Sequence, residues 1–320
     1  MTDEAVNKIN APQGARHGDG TKLGHVPVLL QQAIDFLNVK RGGCYWDATL
    51  GSGGHSFELA KRLGAAGHLI GCDRDETALK MAQERLGNPP AELAGDWPKV
   101  TLLHSSFSEA GKQIPQESVD GVLADIGVSS MQFDEAARGF SFQADGPLDM
   151  RMDRSRGETA EQVVNHMGEE ELANVIYEYG EERRSRRIAR AIVRARPVKT
   201  TAHLAEVISA AARTMKHSRI HPATLTFQAL RIFVNRELDE IAALVTGKKA
   251  AAPFVLKHGG RLVVISFHSL EDRIVKDAMK LGQQEGWLNM LTKKPVIANE
   301  EEVERNPRSR SAKLRAAEKV

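Results

Sequence analysis

The sequence predicts an α/β fold in which a parallel sheet, covered by helices on both faces, is interrupted by an inserted all-helical domain. Short apolar runs and helical segments alternate from residue 25 to residue 125, as they do in repeated β-α-β units. Residues 133–221 contain no good candidate for a buried strand, and the alternation resumes after them. We therefore expect one discontinuous domain, residues 25–132 and 222–320, with a helical domain nested in it at residues 133–221.

The first half of the discontinuous domain carries four predicted strands, each recognised by a short apolar run. A glycine-rich turn follows the first strand, and Asp73 and Asp125 end the second and the fourth. In chain order we predict a helix at 28–39, a strand at 44–50, a helix at 57–63, a strand at 68–73, a helix at 76–86 and strands at 100–104 and 119–125.

The rest of the chain is predicted to be helical as far as residue 244. Ser269 and Asp272 then form an S-x-x-D pattern, which is typical of a helix N-cap. The helices are expected at 158–166, 169–179, 182–196, 201–215, 224–244 and 270–279, and the strands at 261–267, 288–293 and 312–317.

The composition is that of a globular protein with a sizeable core. The 320 residues include 44 Lys and Arg against 42 Asp and Glu, a net charge of +2, and 41% are hydrophobic. Two cysteines, Cys44 and Cys72, provide neither a disulfide framework nor a cysteine-rich zinc site, so we expect a cytoplasmic location and no metal. No run predicts a secretory signal or a membrane span, and no membrane partner is expected. Residues 1–24 are predicted to be a disordered leader.

The glycine-rich turn after the first strand predicts a ligand-binding loop. Gly51, Gly53 and Gly54 allow a ligand to approach the backbone, and the helix that follows points its N–H groups towards it. Asp73 stands 20 residues after Gly53, at the end of the next strand, where a carboxylate can bind the hydroxyl groups of a ribose. An ordinary strand–helix turn requires fewer glycines, so we favour a nucleoside ligand.

The residues around this loop narrow the choice of nucleoside. A dinucleotide fingerprint requires glycine where Ser56 stands, and no P-loop sequence occurs. Asp47, four residues before Gly51, suits a ligand with an ammonium group rather than a pyrophosphate. Phe107, just after the third strand, is placed to cover an adenine, with an ordinary core position as the equal alternative. S-adenosylmethionine has the ammonium group, the ribose and the adenine that these features require.

Two further residues are expected at the same edge of the sheet. Asp125 ends the fourth strand, and His268 follows the fifth. Because open α/β sheets bind ligands at the carboxyl ends of their strands, both side chains are expected near the glycine loop. A simple loop cap is the alternative role for Asp125, and His268 is predicted only to line the pocket.

Basic residues are concentrated in two places. Residues 183–199 contain eight basic side chains and no acidic one, and a second group lies between residues 305 and 315. A stripe of one sign of charge is better explained by a polyanion than by an ordinary solvated face. The candidate polyanion-binding residues are Arg183, Arg187, Arg190 and Arg194, which helical spacing aligns in one stripe, and Arg308 and Arg310 in the second group.

Several sequence blocks closely resemble the RsmH (MraW) family. Among them are Gly51-Ser-Gly-Gly-His-Ser, Asp125-Ile-Gly-Val-Ser-Ser and Asn306-Pro-Arg-Ser-Arg. The resemblance extends from residue 25 to about residue 318, nearly the whole chain. The other blocks lie at residues 25–30, 138–142, 145–153, 179–183, 186–192, 221–224, 226–232 and 265–273.

The resemblance implies a specific activity. That family comprises bacterial methyltransferases that modify the exocyclic N4 of a cytosine in the decoding region of 16S ribosomal RNA, with S-adenosylmethionine as methyl donor. Its fold is a class I, Rossmann-like methyltransferase sheet with an inserted helical domain, which we expect to grip rRNA within the small ribosomal subunit. The implied cofactor-binding residues are Gly53, Gly54, His55, Asp73, Phe107, Asp125 and Gln132.

Asp125 is the candidate catalytic residue. In the implied reaction the cytosine amine attacks the sulfonium methyl group, and a hydrogen-bond acceptor on the amine helps because the amine lone pair is delocalised into the ring. Cofactor binding is the alternative role for Asp125. A methyltransferase acting on another nucleic acid or on protein, and a non-catalytic RNA-binding assembly factor, remain alternatives. The sequence does not distinguish a monomer from a homodimer.

Overall fold

A seven-stranded sheet forms the centre of the computed structural model, which describes residues 27–212 and 221–320. The leader predicted at residues 1–24 lies outside the described residues, as does the end of the helix predicted at 201–215. The strands are β1 (Cys44–Asp47), β2 (His68–Asp73), β3 (Lys99–His104), β4 (Val119–Asp125), β5 (Leu256–Ser266), β6 (Leu288–Met290) and β7 (Lys313–Lys319).

The strand order, β3-β2-β1-β4-β5-β7-β6, confirms the predicted Rossmann-like fold class. Strands β1 to β5 pair in parallel, whereas β7 is antiparallel to both of its neighbours, β5 and β6. The chain passes from β1 outwards through β2 to β3 and then returns to β4 on the other side of β1. A crevice opens at such a reversal, at the carboxyl ends of β1 and β4.

The helices lie on both faces of the sheet and in a separate bundle. They are α1 (Leu30–Leu37), α2 (Gly54–Leu63), α3 (Glu76–Gly87), α4 (Phe107–Gln113), α5 (Ser130–Asp134), α6 (Ala160–His166), α7 (Glu169–Gly180), α8 (Ser185–Ala195), α9 (Thr201–Ala212), α10 (Thr224–Asn235), α11 (Glu237–Val245), α12 (Ala251–Val255), α13 (Ser269–Gln284) and α14 (Glu300–Arg305). None of these helices is both long enough and apolar enough to cross a bilayer.

Alternation of side chains along each strand produces two cores, one on each face of the sheet. Tyr45 and Leu123 point into the core beneath α1, α2 and α3. Trp46 and Val122, one residue away in each strand, point into the core beneath α4, α11, α12 and α13. Burial of both faces explains why the strands read as continuous apolar runs in the sequence.

A third core lies within the helical bundle. It contains Val163, Ile176, Ile192 and Leu204 from α6 to α9. Phe227 of α10 packs into the same core, although the predicted division of the chain at residue 221 assigns this helix to the sheet domain. The bundle can therefore exclude water from its own apolar surface, with α10 as one of its helices.

The single helix predicted at residues 224–244 is wrong, because two helices, α10 and α11, occupy this stretch. Arg236 separates them with a left-handed backbone conformation, φ 50° and ψ 40°. The Asn235 side chain donates to the carbonyl oxygen of Met150 (2.7 Å) and accepts from the backbone N–H of Met152 (2.7 Å). The break thus ties α10 to the loop at 149–153.

The N-terminal end of the described chain is held by α14. The backbone N–H of Leu29 donates to the Glu302 carboxylate at 2.6 Å. Both groups are buried, so this hydrogen bond is protected from water. It fixes the entrance to α1 against an element more than 270 residues further along the chain.

Candidate functional site

A cavity of about 520 Å³ opens at the carboxyl ends of β1 and β4, where the strand order reverses. Residues predicted from distant parts of the sequence meet on its wall, among them Gly54, His55, Asp73, Phe107, Asp125 and Gln132. His268, predicted to line the pocket, lies on the same wall. The volume is in the range of cavities that bind a small molecule.

The glycine loop requires its glycines for backbone geometry and for close packing. Gly51 and Gly53 have positive φ angles, 50° and 77°, which side chains rarely allow. A Cβ atom on Gly54 would lie 2.5 Å from the Pro27 ring. Gly51 and Gly54 line the cavity, whereas Gly53 is not among the residues of its wall. Gly53 therefore acts through the turn, since its backbone N–H closes onto the Leu50 carbonyl oxygen at 2.8 Å.

Asp73, the predicted ribose ligand, also holds the glycine loop in place. Its two carboxylate oxygens accept from the backbone N–H groups of Gly51 and Asp75, each at 2.8 Å. Burial raises the pKa of Asp73, and these backbone donors oppose that change. The side chain remains on the cavity wall, where its other lone pairs can accept hydroxyl groups.

Asp47 does not have the predicted role of binding an ammonium group. It is 1% exposed and is not among the residues of the cavity wall. One carboxylate oxygen accepts from the Ser56 hydroxyl (2.6 Å), and the other accepts from the backbone N–H of Thr49 (3.1 Å). Burial raises its pKa to about 6. Asp47 therefore fixes the glycine loop to α2. Its hydrogen-bond donor there is Ser56, the residue that stands where a dinucleotide fingerprint requires glycine.

Asp125 lies at the end of β4 with an oxygen that no described residue satisfies. Its Oδ1 atom is buried and has no hydrogen-bond partner in the described part of the chain. Its Oδ2 atom lies 3.7 Å from Nδ1 of His55, whose Nε2 is 3.0 Å from the Val28 carbonyl oxygen. Burial, and then the negative charges of Asp47 and Glu271, raise the pKa of Asp125 well above its ordinary value. The cavity wall thus carries a carboxyl group with one oxygen that has no hydrogen-bond partner in the described part of the chain.

Gln132 connects the cavity to the sequence block that begins at Arg138. Its side-chain amide donates to Asp75 (2.8 Å), and its amide oxygen accepts from the backbone N–H of Ser129 in a capping box. The buried Arg138 donates to the same Asp75 oxygen at 2.6 Å. Asp75 follows the ribose candidate Asp73 by two residues, so the loop after α5 buttresses this side of the cavity.

His268, and not Ser269, caps α13. The His268 side chain accepts from the backbone N–H of Glu271, whose carboxylate in turn accepts from the backbone N–H of His268. The predicted cap formed by Ser269 and Asp272 is therefore wrong by one residue. The Ser269 hydroxyl instead donates to Glu181 (2.6 Å), and Asp272 pairs with the buried Arg315 (2.6 Å).

Sequence reasoning missed the charged cluster on the wall formed by α10, α11 and α13. Ligand-type atoms of Glu237, His268 and Glu271 lie within 4.8 Å of one another, as in a metal site. Arg231 already provides the cation there, because its guanidinium group donates to both carboxylate oxygens of Glu237 at 2.9 Å. The sequence blocks at 226–232 and 265–273 contain most of this cluster, but their spacing gives no sign that they meet.

The predicted arginine stripe lies on α8 and just before it. Arg183, Arg187, Arg190 and Arg194 are exposed, while Ile188 and Ile192 of the same helix are buried. The sequence predicted a stripe of positive charge alone. An acidic residue is nevertheless close to it, because Glu169 of α7 lies 3.2 Å from Arg190.

The C-terminal arginines differ from each other in their surroundings. Arg308 lies on the cavity wall, 2.7 Å from Asp134 and over the ring of Phe133. Arg310 is exposed. Arg308 therefore lies closer to the cavity than the arginines of α8, which belong to the helical bundle.

Comparison with known proteins agrees with this geometry. The model of the MraW methylase family matches residues 22–320. The ribosomal RNA small subunit methyltransferase H of Koribacter versatilis is 64% identical over 310 residues, covering 96% of this chain and 97% of that protein. The enzyme of the same name from Acidobacterium capsulatum is 65% identical over 295 residues, covering 92% of this chain and 98% of that protein.

A solved structure, a putative rRNA methylase from Clostridium thermocellum, covers 92% of this chain with 16% identity and a TM-score of 0.43. That likeness is too distant to bear on function. The family match, and the identities of 64% and 65% over almost the full length of two relatives, are sufficient to assign the chain to a family without this structure. The chain therefore belongs to the MraW methylase family, and it is a methyltransferase whose methyl donor is S-adenosylmethionine.

Proposed function

We propose that the enzyme methylates the exocyclic N4 of a cytosine in the decoding region of 16S ribosomal RNA, within the small ribosomal subunit in the cytoplasm. The family and the names of the relatives support ribosomal RNA as the substrate. The observation that carries the proposal to an amine is the Asp125 carboxyl group on the cavity wall, whose Oδ1 atom has no hydrogen-bond partner among the described residues. An exocyclic amine has an N–H that such an acceptor binds.

The residues of the cavity fit S-adenosylmethionine. Asp73 faces the cavity as a carboxylate for the ribose hydroxyl groups, and Phe107 and Ile241 offer an apolar wall for the adenine. Gly51 and Gly54 of the glycine loop line the cavity, where the ligand can approach the backbone. Bound there, S-adenosylmethionine would supply an electrophilic methyl group on a positively charged sulfur. The cavity extends beyond these residues towards Gln228 and Arg231, which leaves room for the target base.

Asp125 would accept a hydrogen bond from the target amine and later its proton. The acceptor localises the amine lone pair on nitrogen, which makes the amine a better nucleophile. The raised pKa of Asp125 suits this task, because a more basic carboxylate takes a proton more readily. Thr49 steadies this end of β4, since its hydroxyl accepts from the backbone N–H of Asp125 at 2.6 Å.

The helical bundle and the C-terminal arginines would hold the RNA. Arg187 and Arg194 are exposed on one face of α8 and can contact phosphates without reading bases. Arg308 on the cavity wall can contact the phosphate next to the target nucleotide. The target cytosine must leave its stack to enter the cavity, as in other enzymes that modify a base.

The product in cells tests the proposal. Mass spectrometry of 16S rRNA from cells lacking the gene should show the loss of one N4-methylated cytidine, and the wild-type gene should restore it. The Asp125→Asn variant should not restore it, while the Asp120→Asn variant, altered at the other end of the same strand, should. An unchanged set of methylated nucleosides in the deletion strain would refute the proposed substrate and favour another nucleic acid, a protein or a non-catalytic role in assembly.

A rate measurement tests the role of Asp125. We expect Asp125→Asn to slow methyl transfer by about 100-fold or more, since positioned acid–base groups contribute about 10²–10⁴-fold. The affinity for S-adenosylmethionine, measured by calorimetry, should change little. A variant that loses cofactor affinity but retains its rate at saturating cofactor would assign Asp125 to cofactor binding alone.

A further inference from the structure

Arg231 is held in a fixed orientation on the cavity wall. Its side chain is 12% exposed, and its Nε and Nη2 atoms donate to the two carboxylate oxygens of Glu237 at 2.9 Å each. Such a bidentate pair fixes the plane of the guanidinium group. The Nη1 atom makes no hydrogen bond to any residue that the structure describes, and Arg231 lines the cavity. Two N–H donors of Nη1 are therefore left for a ligand.

The groups around Arg231 make this wall rigid. His268 Nε2 lies 3.4 Å from Arg231 Nη2 and 3.0 Å from Glu271 Oε1. Glu271 is 0% exposed, and its other oxygen accepts from the backbone N–H groups of Phe267 (2.8 Å) and His268 (3.2 Å). The guanidinium group is thus connected to α11 and to the start of α13, so its free edge is preorganised.

Arg231 and Asp125 line the same cavity. Asp125 pairs with Ile265 in the register of β4 and β5, and the backbone N–H of Ile126 donates to the Ile265 carbonyl oxygen at 2.8 Å. His268 follows Ile265 by three residues, which brings the Arg231 cluster to the neighbouring strand end. An acceptor and a donor therefore stand on adjacent parts of the wall.

We propose that Arg231 Nη1 donates a hydrogen bond to ring atom N3 of the target cytosine while Asp125 accepts one from its N4 amine. This proposal rests on the proposed function. On the Watson–Crick edge of cytosine the N4 donor lies next to the N3 acceptor, which matches an acceptor beside a donor on the protein. Uracil presents the opposite pattern, an O4 acceptor next to an N3–H donor, and would place donor against donor at Arg231. Arg231 thereby selects the base and orients its amine.

Replacing N3 of the target with a C–H group tests the contact without altering the protein. Synthetic decoding-region RNA with either cytidine or 3-deazacytidine at the target is used free or in reconstituted small subunits, whichever the wild-type enzyme methylates. S-adenosylhomocysteine fills the cofactor site during binding measurements, so the different reactivity of the two amines has no effect. We expect the wild-type enzyme to bind the 3-deaza substrate about 10- to 100-fold more weakly, the loss typical of a hydrogen bond to a charged group. Equal affinities would overturn the proposal.

Variants of Arg231 show whether it is the partner of N3. Two variants, Arg231→Met and Arg231→Met combined with Glu237→Gln, should bind both RNAs equally and weakly. The second substitution removes the charge of Glu237, which would otherwise lose its guanidinium partner. Arg261→Met, which breaks an ion pair with Glu318 away from the cavity, should preserve the wild-type preference. A preference for cytidine that survives in the double variant would overturn the assignment to Arg231. If the wild-type enzyme methylates no cytosine at N4, the proposed function itself fails, which mass spectrometry of the product distinguishes.

Discussion

Replacing Asp47 with asparagine is expected to change how the stability of the sheet depends on pH. Burial raises the pKa of Asp47 from 3.8 to about 6, in spite of the hydrogen bonds from Ser56 and Thr49. A carboxyl group whose pKa is higher in the folded state stabilises that state fully below the unfolded pKa, and this contribution is lost as the pH rises through the folded pKa. Between pH 4 and pH 6 the wild-type protein should therefore lose stability that Asp47→Asn does not lose.

The size of the effect follows from the shift in pKa. The change from 3.8 to about 6 is roughly two units, and each unit corresponds to about 1.4 kcal/mol. Integrated over pH 4 to pH 6, which covers only part of the full effect of about 3 kcal/mol, the free energy of unfolding of the wild-type protein should fall by about 2 kcal/mol relative to Asp47→Asn. Asparagine retains one oxygen as acceptor, so the loss of the hydrogen bond from Ser56 adds an offset that does not depend on pH.

Urea unfolding at pH 4, 5, 6 and 7, followed by tryptophan fluorescence, measures this difference. The chain has three tryptophans, Trp46, Trp97 and Trp287, and all of them pack in the two cores of the sheet. Asp120→Asn is the matched control, because hydrogen bonds from Lys257 and the Cys44 N–H outweigh burial and lower the pKa of Asp120. Between pH 4 and pH 7 the wild-type protein should therefore lose no stability relative to Asp120→Asn. A difference between wild type and Asp47→Asn that is constant from pH 4 to pH 7 would refute the reasoning.

Three further predictions concern the cofactor, the RNA and the break between α10 and α11. Asp73→Ala should weaken S-adenosylmethionine binding by about 10- to 100-fold in calorimetry, since hydrogen bonds to a carboxylate are lost; unchanged affinity would contradict the ribose assignment. Arg187→Glu with Arg194→Glu should lower the slope of log RNA affinity against log salt concentration by about 2 and spare cofactor affinity. The same loss in Arg41→Glu, a control outside the helical bundle, would show that the effect is not specific to the stripe. Asn235→Ala should cost about 1–3 kcal/mol in thermal or urea unfolding, because it leaves the buried Met150 carbonyl oxygen and the partly buried Met152 N–H without this partner. A neutral effect would mean that water replaces the side chain.

The sheet was predictable because its strands are apolar and separated by regular helices. The four strands before the helical bundle, and the fifth, predicted at residues 261–267 and found at Leu256–Ser266, were each recognised from a short apolar run, and each occurs in the structure. Asp73 and Asp125 were predicted to meet the glycine loop because strands in a parallel sheet end at one edge, and the cavity contains all three. Their roles towards cofactor and substrate remain predictions.

Other features depend on contacts that no local pattern records. The left-handed conformation of Arg236 is stabilised by the anchoring of Asn235, and neither residue is a typical helix breaker. Asp47 was expected to face the ligand because it stands four residues before Gly51, but the nearby Ser56 hydroxyl is its partner instead. Arg231 and Glu237 meet His268 only because α10, α11 and α13 converge, which the spacing along the chain does not encode.

The position of β7 determines when this enzyme can become active during its synthesis. The ribosome releases the helical bundle, with its own core, well before residues 313–319 appear. Until β7 enters between β5 and β6, β5 has an open edge, and Arg308 and Ser311 have not reached the cavity wall. The nascent chain is therefore expected to fold its bundle early and to gain a complete cofactor cavity only after residues 313–319 have been synthesised.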